Sequence, residues 1–182
     1  YVDTHTGVHK EEKLKKHYLI IFLISILSMD IFAFDKQNQI ISGLQNGQYE
    51  NVKILLQEWE KENPEDPDLM TGWFNYFLHR KAEEKSIVGY IKNGQYGMYS
   101  KTIYDENDLT TAISYLDKAL KNNPYRMDIY FGKINSFLSA EKYSDGSKTI
   151  VDFLKVYEKN KINWYWTNNQ KFSDNNWNVE DT

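Results

Sequence analysis

One stretch of this sequence recurs sixty residues further along the chain, and the repetition constrains the fold more than any other feature. Residues 49–78 and 109–138 align without a gap. Two unrelated stretches of this length would share only a few identities, and seldom their prolines and glycines. The sequence therefore predicts a duplicated helix–turn–helix element. The identical pairs are Leu56/Leu116, Lys61/Lys121, Asn63/Asn123, Pro64/Pro124, Asp68/Asp128, Gly72/Gly132, Asn75/Asn135, Phe77/Phe137 and Leu78/Leu138.

The helical character of the second copy follows from the spacing of its apolar residues. Between residues 109 and 124 they recur three and four positions apart, which forms one stripe along an α-helix. Ala112 and Ala119 leave room for a neighbouring helix, and Leu116 fills the groove between them. Pro124 ends the helix, because it lacks an amide hydrogen and clashes with the preceding turn. We therefore expect Ala112 and Leu116 to be buried between helices.

This pattern of two alanines, an intervening leucine and a closing proline resembles the second helix of a tetratricopeptide repeat. A fainter third copy begins at Tyr143, 34 residues after Leu109, which is the length of one such repeat. The resemblance implies an all-α fold of antiparallel helix hairpins, a tetratricopeptide-like α-solenoid whose concave face holds a partner. Phe74 and Ile134 stand where the family commonly has glycine, so its superhelical curvature is not carried over. The residues implied in repeat packing are Leu56, Trp59, Pro64, Gly72, Phe77, Ala112, Leu116, Ala119, Pro124, Gly132 and Phe137.

The chain is predicted to have three parts: residues 1–34, a helical repeat domain at 35–160, and an aromatic, polar tail at 161–182. Asn46-Gly47 is expected to make the first turn, and Asp66 to cap the helix that Pro67 begins. The predicted helices are residues 35–46, 49–62, 67–85, 109–124, 126–140 and 145–160.

Residues 86–107 are predicted to be an irregular insertion between the repeats, because three glycines interrupt any long helix there. A small hairpin around Asn93-Gly94 is one interpretation. We favour a short helix over residues 98–104 and a loop for the remainder. The tyrosines of the insertion either contact a partner or pin the segment to the groove; they are Tyr90, Tyr96, Tyr99 and Tyr104.

The front of the chain has the pattern of an export signal. Lys15 and Lys16 precede an apolar run at residues 18–29, and Ala33 offers a small residue to a signal peptidase. The run is shorter than the about 20 residues of an ordinary membrane span. We expect an exported protein, periplasmic or secreted, from which the signal is removed. The alternatives are an uncleaved anchor at residues 18–29, which would be the sole expected membrane contact, and a buried core helix. Residues 1–13 lie upstream and are left out of the predicted domain.

Composition and motifs disfavour several classes of function. The net charge is −4, and lysines and glutamates are interleaved, so no one-sided basic stripe is available for nucleic acid. Without cysteine the chain has no disulfide, thiolate metal site or lipid-modified cysteine. His79 has no second ligand at helical spacing, and Glu83 and Glu84 are interpreted as a solvated helix end. Phosphate-binding loops and nucleophile elbows are absent from the sequence, so we expect no catalysis, cofactor or metal.

The tail carries aromatic residues beside amides, and two functional hypotheses remain besides that of an enzyme built on the loops. Trp164, Tyr165 and Trp166 either cap the last helix pair or stack on a ligand. Together with the PYRMDIYFGKIN stretch at residues 124–135, this segment resembles a group of exported helical-repeat proteins of bacteria. Our first hypothesis is an exported scaffold that binds a protein or peptide partner through its concave face. The alternative is a glycan-binding module that uses the aromatic tail.

Overall fold

The computed structural model describes residues 36–90, 94–161, 163–167 and 170–171. By its internal contacts the chain divides into two units, Tyr1–Gln39 and Ile40–Thr182. In the first unit, residues 36–39 are described, and they are helical. The predicted export signal, with its apolar run at residues 18–29, lies outside the described residues. None of the described helices combines the length and the apolar character needed to cross a membrane.

The fold is mostly helical, as the sequence predicts, but it is not all-α because a β-hairpin interrupts the helices. Residues 36–45 form α1. Asn46 and Gly47 make the first turn as expected, and Gly47 has a φ of 67°, which favours glycine. The following elements are α2 (Tyr49–Glu62), α3 (Pro67–His79), β1 (Glu83–Tyr90), β2 (Tyr96–Ile103), α4 (Glu106–Asn122), α5 (Met127–Ser139) and α6 (Tyr143–Lys159).

The β-hairpin overturns the prediction of a short helix over residues 98–104 and of a loop before it. β1 and β2 pair antiparallel over eight positions, with Tyr90 opposite Tyr96. Glu83 and Glu84 belong to β1, so the interpretation of these residues as a helix end is also wrong. Aromatic and β-branched residues on both sides of Asn93-Gly94 explain why two strands form here, because such residues pack well on a pleated sheet. The predicted helix at residues 67–85 accordingly ends at His79.

The hairpin lies between the two copies of the duplicated element, and it joins α3 and α4, which pack against each other. Arg80 follows α3 and pairs with Asp108 in the first turn of α4. At the opposite end, Asn122 of α4 donates a hydrogen bond to Glu65, just before α3. The two helices are therefore antiparallel, and the hairpin extends from one end of the pair.

The two copies of the duplicated element fold alike. Asn63 donates its amide hydrogen to the carbonyl of Trp59 at 2.9 Å, and Asn123 donates to Ala119 at the same distance. Asp66 accepts a hydrogen bond from the amide of Asp68 and caps α3, as predicted. The sequence register is therefore confirmed at the level of the helix–turn–helix.

The core also agrees with the predicted stripe of α4. Ala112 and Ala119 are fully buried, and Leu116 is 1% exposed. Phe77 and Phe137 are partly buried against the same cluster. The main buried cluster comprises Met70, Phe74, Leu78, Leu109, Ala112, Ile113, Leu116, Ala119 and Ile129. A second cluster joins α5, α6 and the tail through Met127, Tyr130, Phe153 and Trp164.

Candidate functional site

A groove of about 480 Å³ lies between the first helices of the Ile40–Thr182 unit and the base of the β-hairpin. α1, α2 and α3 supply one side of it, and both strands and the residues next to them supply the other. This volume falls within the about 300–1,000 Å³ of ligand sites. Its lining residues are Ile41, Leu44, Gln45, Tyr49, Asn75, His79, Ala82, Glu84, Thr102 and Tyr104.

The lining combines apolar side chains with side-chain amides. Ile41 is 45% exposed although it is a large aliphatic residue, and Leu44 and Ala82 extend the apolar surface. The side-chain amides of Gln45 and Asn75 make no hydrogen bond to the described part of the chain. An amide offers both donors and an acceptor, so these two groups match the main-chain groups of a bound peptide.

Contacts between α2 and α3 hold the helical side of the groove. The Tyr49 hydroxyl donates to the main-chain oxygen of His79 at 3.2 Å, and its ring meets that of Tyr76 edge-on at 6.4 Å. Partial desolvation lowers the pKa of the His79 imidazole below its ordinary 6.5, so the ring is mostly neutral at pH 7, although the residue remains exposed. The polar residues on the helical side of the groove therefore add little charge to it at pH 7.

Glu84 gives the groove its negative charge. Its carboxylate accepts hydrogen bonds from the hydroxyls of Ser100 and Thr102 on the facing strand. The Ser100 hydroxyl, and next that of Thr102, lower the pKa of Glu84, because both stabilise the ionised form. Glu84 is the only carboxylate among the described groove-lining residues, which include no lysine or arginine.

The hairpin continues the groove with an exposed apolar surface. Side chains alternate between the two faces of a strand, so Val88 and Tyr90 share the face of Glu84. Their cross-strand partners are Met98 and Tyr96. The four side chains are 62–77% exposed, and the Tyr90 and Tyr96 rings meet edge-on at 5.4 Å. We call Val88, Tyr90, Tyr96 and Met98 the exposed hairpin face.

The four predicted tyrosines of the insertion therefore have different surroundings. Tyr104 lines the groove, and Tyr90 and Tyr96 lie on the exposed hairpin face. Tyr99 lies on the opposite face, where a Cβ added at Gly89 would stand 3.6 Å from its ring. On that opposite face Lys101 pairs with Glu141 at 2.6 Å and ties the hairpin to the α5–α6 turn.

The described part of the tail packs on the last helix pair and lines no part of the groove. Trp164 is 2% exposed, and its indole nitrogen donates to the Asn160 carbonyl at 2.7 Å. Tyr165 exchanges main-chain hydrogen bonds with Tyr125 and Met127, both 2.9 Å. Trp166 meets the Phe131 ring edge-on. In this arrangement Trp164 has no free face for a sugar, and the capping alternative describes its packing.

Sequence reasoning proposed one groove residue, Tyr104, as a partner contact; it considered His79 only as a metal ligand and interpreted Glu84 as part of a solvated helix end. The alternation of residues around Asn93-Gly94 was the signal that would have placed Glu84 on a strand. Within the described residues, no group of three His, Cys, Asp or Glu side chains is arranged to hold a metal ion. Comparisons with protein-family models, curated proteins and solved structures found no match for this chain.

Proposed function

We propose that this chain is a helical-repeat scaffold of the tetratricopeptide type, which binds an extended segment of a partner protein and catalyses no reaction. The observation that carries the proposal is the groove between α1–α3 and the hairpin, which opens onto the exposed hairpin face. An open surface of this kind suits a chain that enters at one end and leaves at the other. A small molecule would instead favour an enclosed cavity, which buries most of its surface.

The side-chain amides in the groove, which make no hydrogen bond within the described part of the chain, favour a peptide over a purely apolar ligand. A bound peptide must replace the hydrogen bonds that its main chain made to water, and Gln45 and Asn75 supply donors and acceptors for that purpose. Ile41 and Leu44 add apolar area beside them. The proposal includes export, which the lysines and the apolar run at residues 18–29 support by sequence pattern alone.

Selection from a random peptide library displayed on phage tests the proposal with the full chain as bait. Peptides that survive selection are then measured against two matched variants. Ile41→Asn replaces an apolar groove side chain by a neutral polar one, whereas Ile54→Asn makes the same change at an exposed α2 position outside the groove; both residues are about half exposed, 45% and 54%. We expect Ile41→Asn to weaken binding at least about tenfold and Ile54→Asn to leave it unchanged. Failure to select any peptide, or equal binding by both variants, contradicts the proposal.

A further inference from the structure

We infer that the bound segment carries a lysine or arginine whose charged end meets Glu84, with an apolar side chain on the exposed hairpin face. This inference rests on the proposed function, since it names the chemistry of the segment that the same groove would take. Three observations lead to it: the charge of the groove, the fixed position of its carboxylate, and the distance to the apolar surface.

The first observation is charge complementarity. Glu84 is the single carboxylate among the described groove-lining residues, which include no lysine or arginine, and His79 is mostly neutral at pH 7. A concave surface of one sign attracts the opposite charge more strongly than a flat one, since the low-dielectric walls focus the field. The rings of Tyr49 and Tyr104 also line the groove, and aromatic faces attract cations. An acidic segment would be repelled here.

The second observation is that the carboxylate is held in place before any ligand arrives. Ser100 and Thr102 each donate to a different oxygen of Glu84, so the side chain loses little conformational freedom on binding. Glu84 is nevertheless exposed, and each carboxylate oxygen has a lone pair left for a further donor. A lysine ammonium or an arginine guanidinium supplies such donors.

The third observation is the distance from Glu84 to the apolar pair Val88 and Met98. Val88 follows Glu84 by four residues on the same strand face, about 13 Å at the rise of an antiparallel strand. Between them the face carries only Ser86 and its partner Ser100. An extended peptide covers the same distance in four residues. A basic residue and an aliphatic or aromatic residue four positions apart therefore fit Glu84 and the Val88–Met98 pair together.

The test uses fluorescein-labelled twelve-residue peptides with lysine and leucine four positions apart in an otherwise Ser/Gly background. A matched set replaces lysine by norleucine, which removes the charge and keeps the aliphatic stem. Binding is measured by fluorescence anisotropy with the full chain, with Glu84→Gln and with Glu83→Gln. Gln at position 84 still accepts a hydrogen bond from one of these hydroxyls, Ser100 or Thr102, through its carbonyl oxygen, and its NH2 group donates to the oxygen of the other. Glu83 lies on the opposite face and is 70% exposed.

We expect Glu84→Gln to weaken binding of the lysine peptide at least about tenfold and to leave the norleucine peptide unchanged, while Glu83→Gln changes neither. Lysine peptides that bind the unmodified chain and Glu84→Gln equally, yet lose binding to Ile41→Asn, would overturn the inference and leave the proposed function standing. Failure of the lysine peptides to bind the unmodified chain would overturn the inference, whereas the selection from the random library decides on the proposed function separately. A concentration-dependent dimer in gel filtration that Val88→Asp abolishes would assign the exposed hairpin face to a second copy of the chain, against the inference.

Discussion

Arg126 and Asp68 lie 58 residues apart in sequence, yet the Nη2 atom of Arg126 is 2.5 Å from Oδ1 of Asp68. The same guanidinium pairs with Asp128, at 2.9 Å through Nε and 2.8 Å through Nη2. Asp68 and Asp128 occupy equivalent positions in the duplicated element, and Arg126 stands where the first copy has its capping Asp66. Because the Arg126 side chain is only 2% exposed, it joins the two copies through a buried ionic cluster.

Removal of Asp68 should therefore be costly. Asp68→Ala deletes one carboxylate and leaves Arg126 buried with Asp128 alone, so we expect a loss of about 1.5–3 kcal/mol, the range for hydrogen bonds to charged groups. Asp152→Ala is the control, since it removes an exposed pair with Lys155 and should cost less than about 1 kcal/mol. Urea unfolding measures both. Similar losses for the two variants would show that the buried cluster contributes little.

Gly72 and Gly132 occupy equivalent positions in the duplicated element, yet substitution by alanine should change the stability in opposite directions at the two positions. A Cβ at Gly72 would lie 2.7 Å from Cδ2 of the fully buried Leu56, whereas a Cβ at Gly132 would lie 3.8 Å from Cδ1 of Leu116. Gly72→Ala should destabilise by about 1–3 kcal/mol through overpacking. Gly132→Ala should stabilise by about 0.5–1 kcal/mol, because alanine is the better helix former.

Thermal and urea unfolding of the two glycine variants provide the measurement. A double variant, Gly72→Ala with Leu56→Ala, serves as the control: removal of the clashing methyl groups should make its cost smaller than the sum of the single costs. A change of the same sign at Gly72 and Gly132 would mean that the two helix crossings are equally close.

The sequence predicted the helical pairs well because their signals are local. Ala112, Leu116 and Pro124 specify a buried stripe and its end within sixteen residues, and the repeated copy doubles the evidence. The hairpin was harder, since its stability comes from pairing between Glu83 and Ile103, twenty residues apart. The alternation around Asn93-Gly94 was the local signal for this pairing.

The groove was still harder to predict from the sequence, because residues far apart in the chain form it. The hydrogen bonds that orient Glu84 come from Ser100 and Thr102, which lie 16 and 18 residues further along the chain. Without the strand register, Glu84 is one of many exposed glutamates. Trp164 shows the same limit, because its burial against Tyr130 and Phe153 follows from the path of the tail and not from its neighbours in sequence.

Ala112 tests how closely α4 approaches its neighbours. The residue is fully buried, so Ala112→Leu adds methylenes where no volume is free and should cost about 1–3 kcal/mol. Lys118→Leu on the exposed face of the same helix is the matched control, and we expect it to be near neutral because leucine and lysine have similar helix propensities. A stabilised Ala112→Leu variant, measured by urea unfolding, would mean that the helix contact is loose.

Asp108 predicts a dependence of stability on pH. Its hydrogen bonds to Arg80, at 2.5 and 2.6 Å, lower its pKa below the ordinary 3.8. A carboxyl whose pKa is depressed in the folded state contributes stability in full above its unfolded pKa, and loses it as the pH falls through the folded value. Asp108→Asn should therefore cost about 1–2 kcal/mol at pH 7, a range reduced because Arg80 is 27% exposed.

The pH at which this difference disappears is the informative measurement. Urea unfolding of the wild type and Asp108→Asn at pH 7 and at a series of values below 3.8 should show the two stabilities converging as Asp108 becomes protonated. A cost that stays constant throughout the series would assign the effect of the variant to packing and not to the charge of Asp108.

Trp164 predicts that the tail stabilises the last helix pair specifically. Its ring packs between Tyr125, Tyr130 and Phe153, with centroid distances of 5.2–6.1 Å, so Trp164→Ala should cost about 3–5 kcal/mol. Trp166→Ala, at a less buried ring beside Phe131, should cost less than half as much. Hydrogen exchange locates the effect: amides of α6 should lose protection in Trp164→Ala, while those of α4 keep it, because α4 belongs to the other buried cluster. Full protection of α6 in that variant would show that the helix pair needs no cap, and would return Trp164 to the set of candidate binding residues.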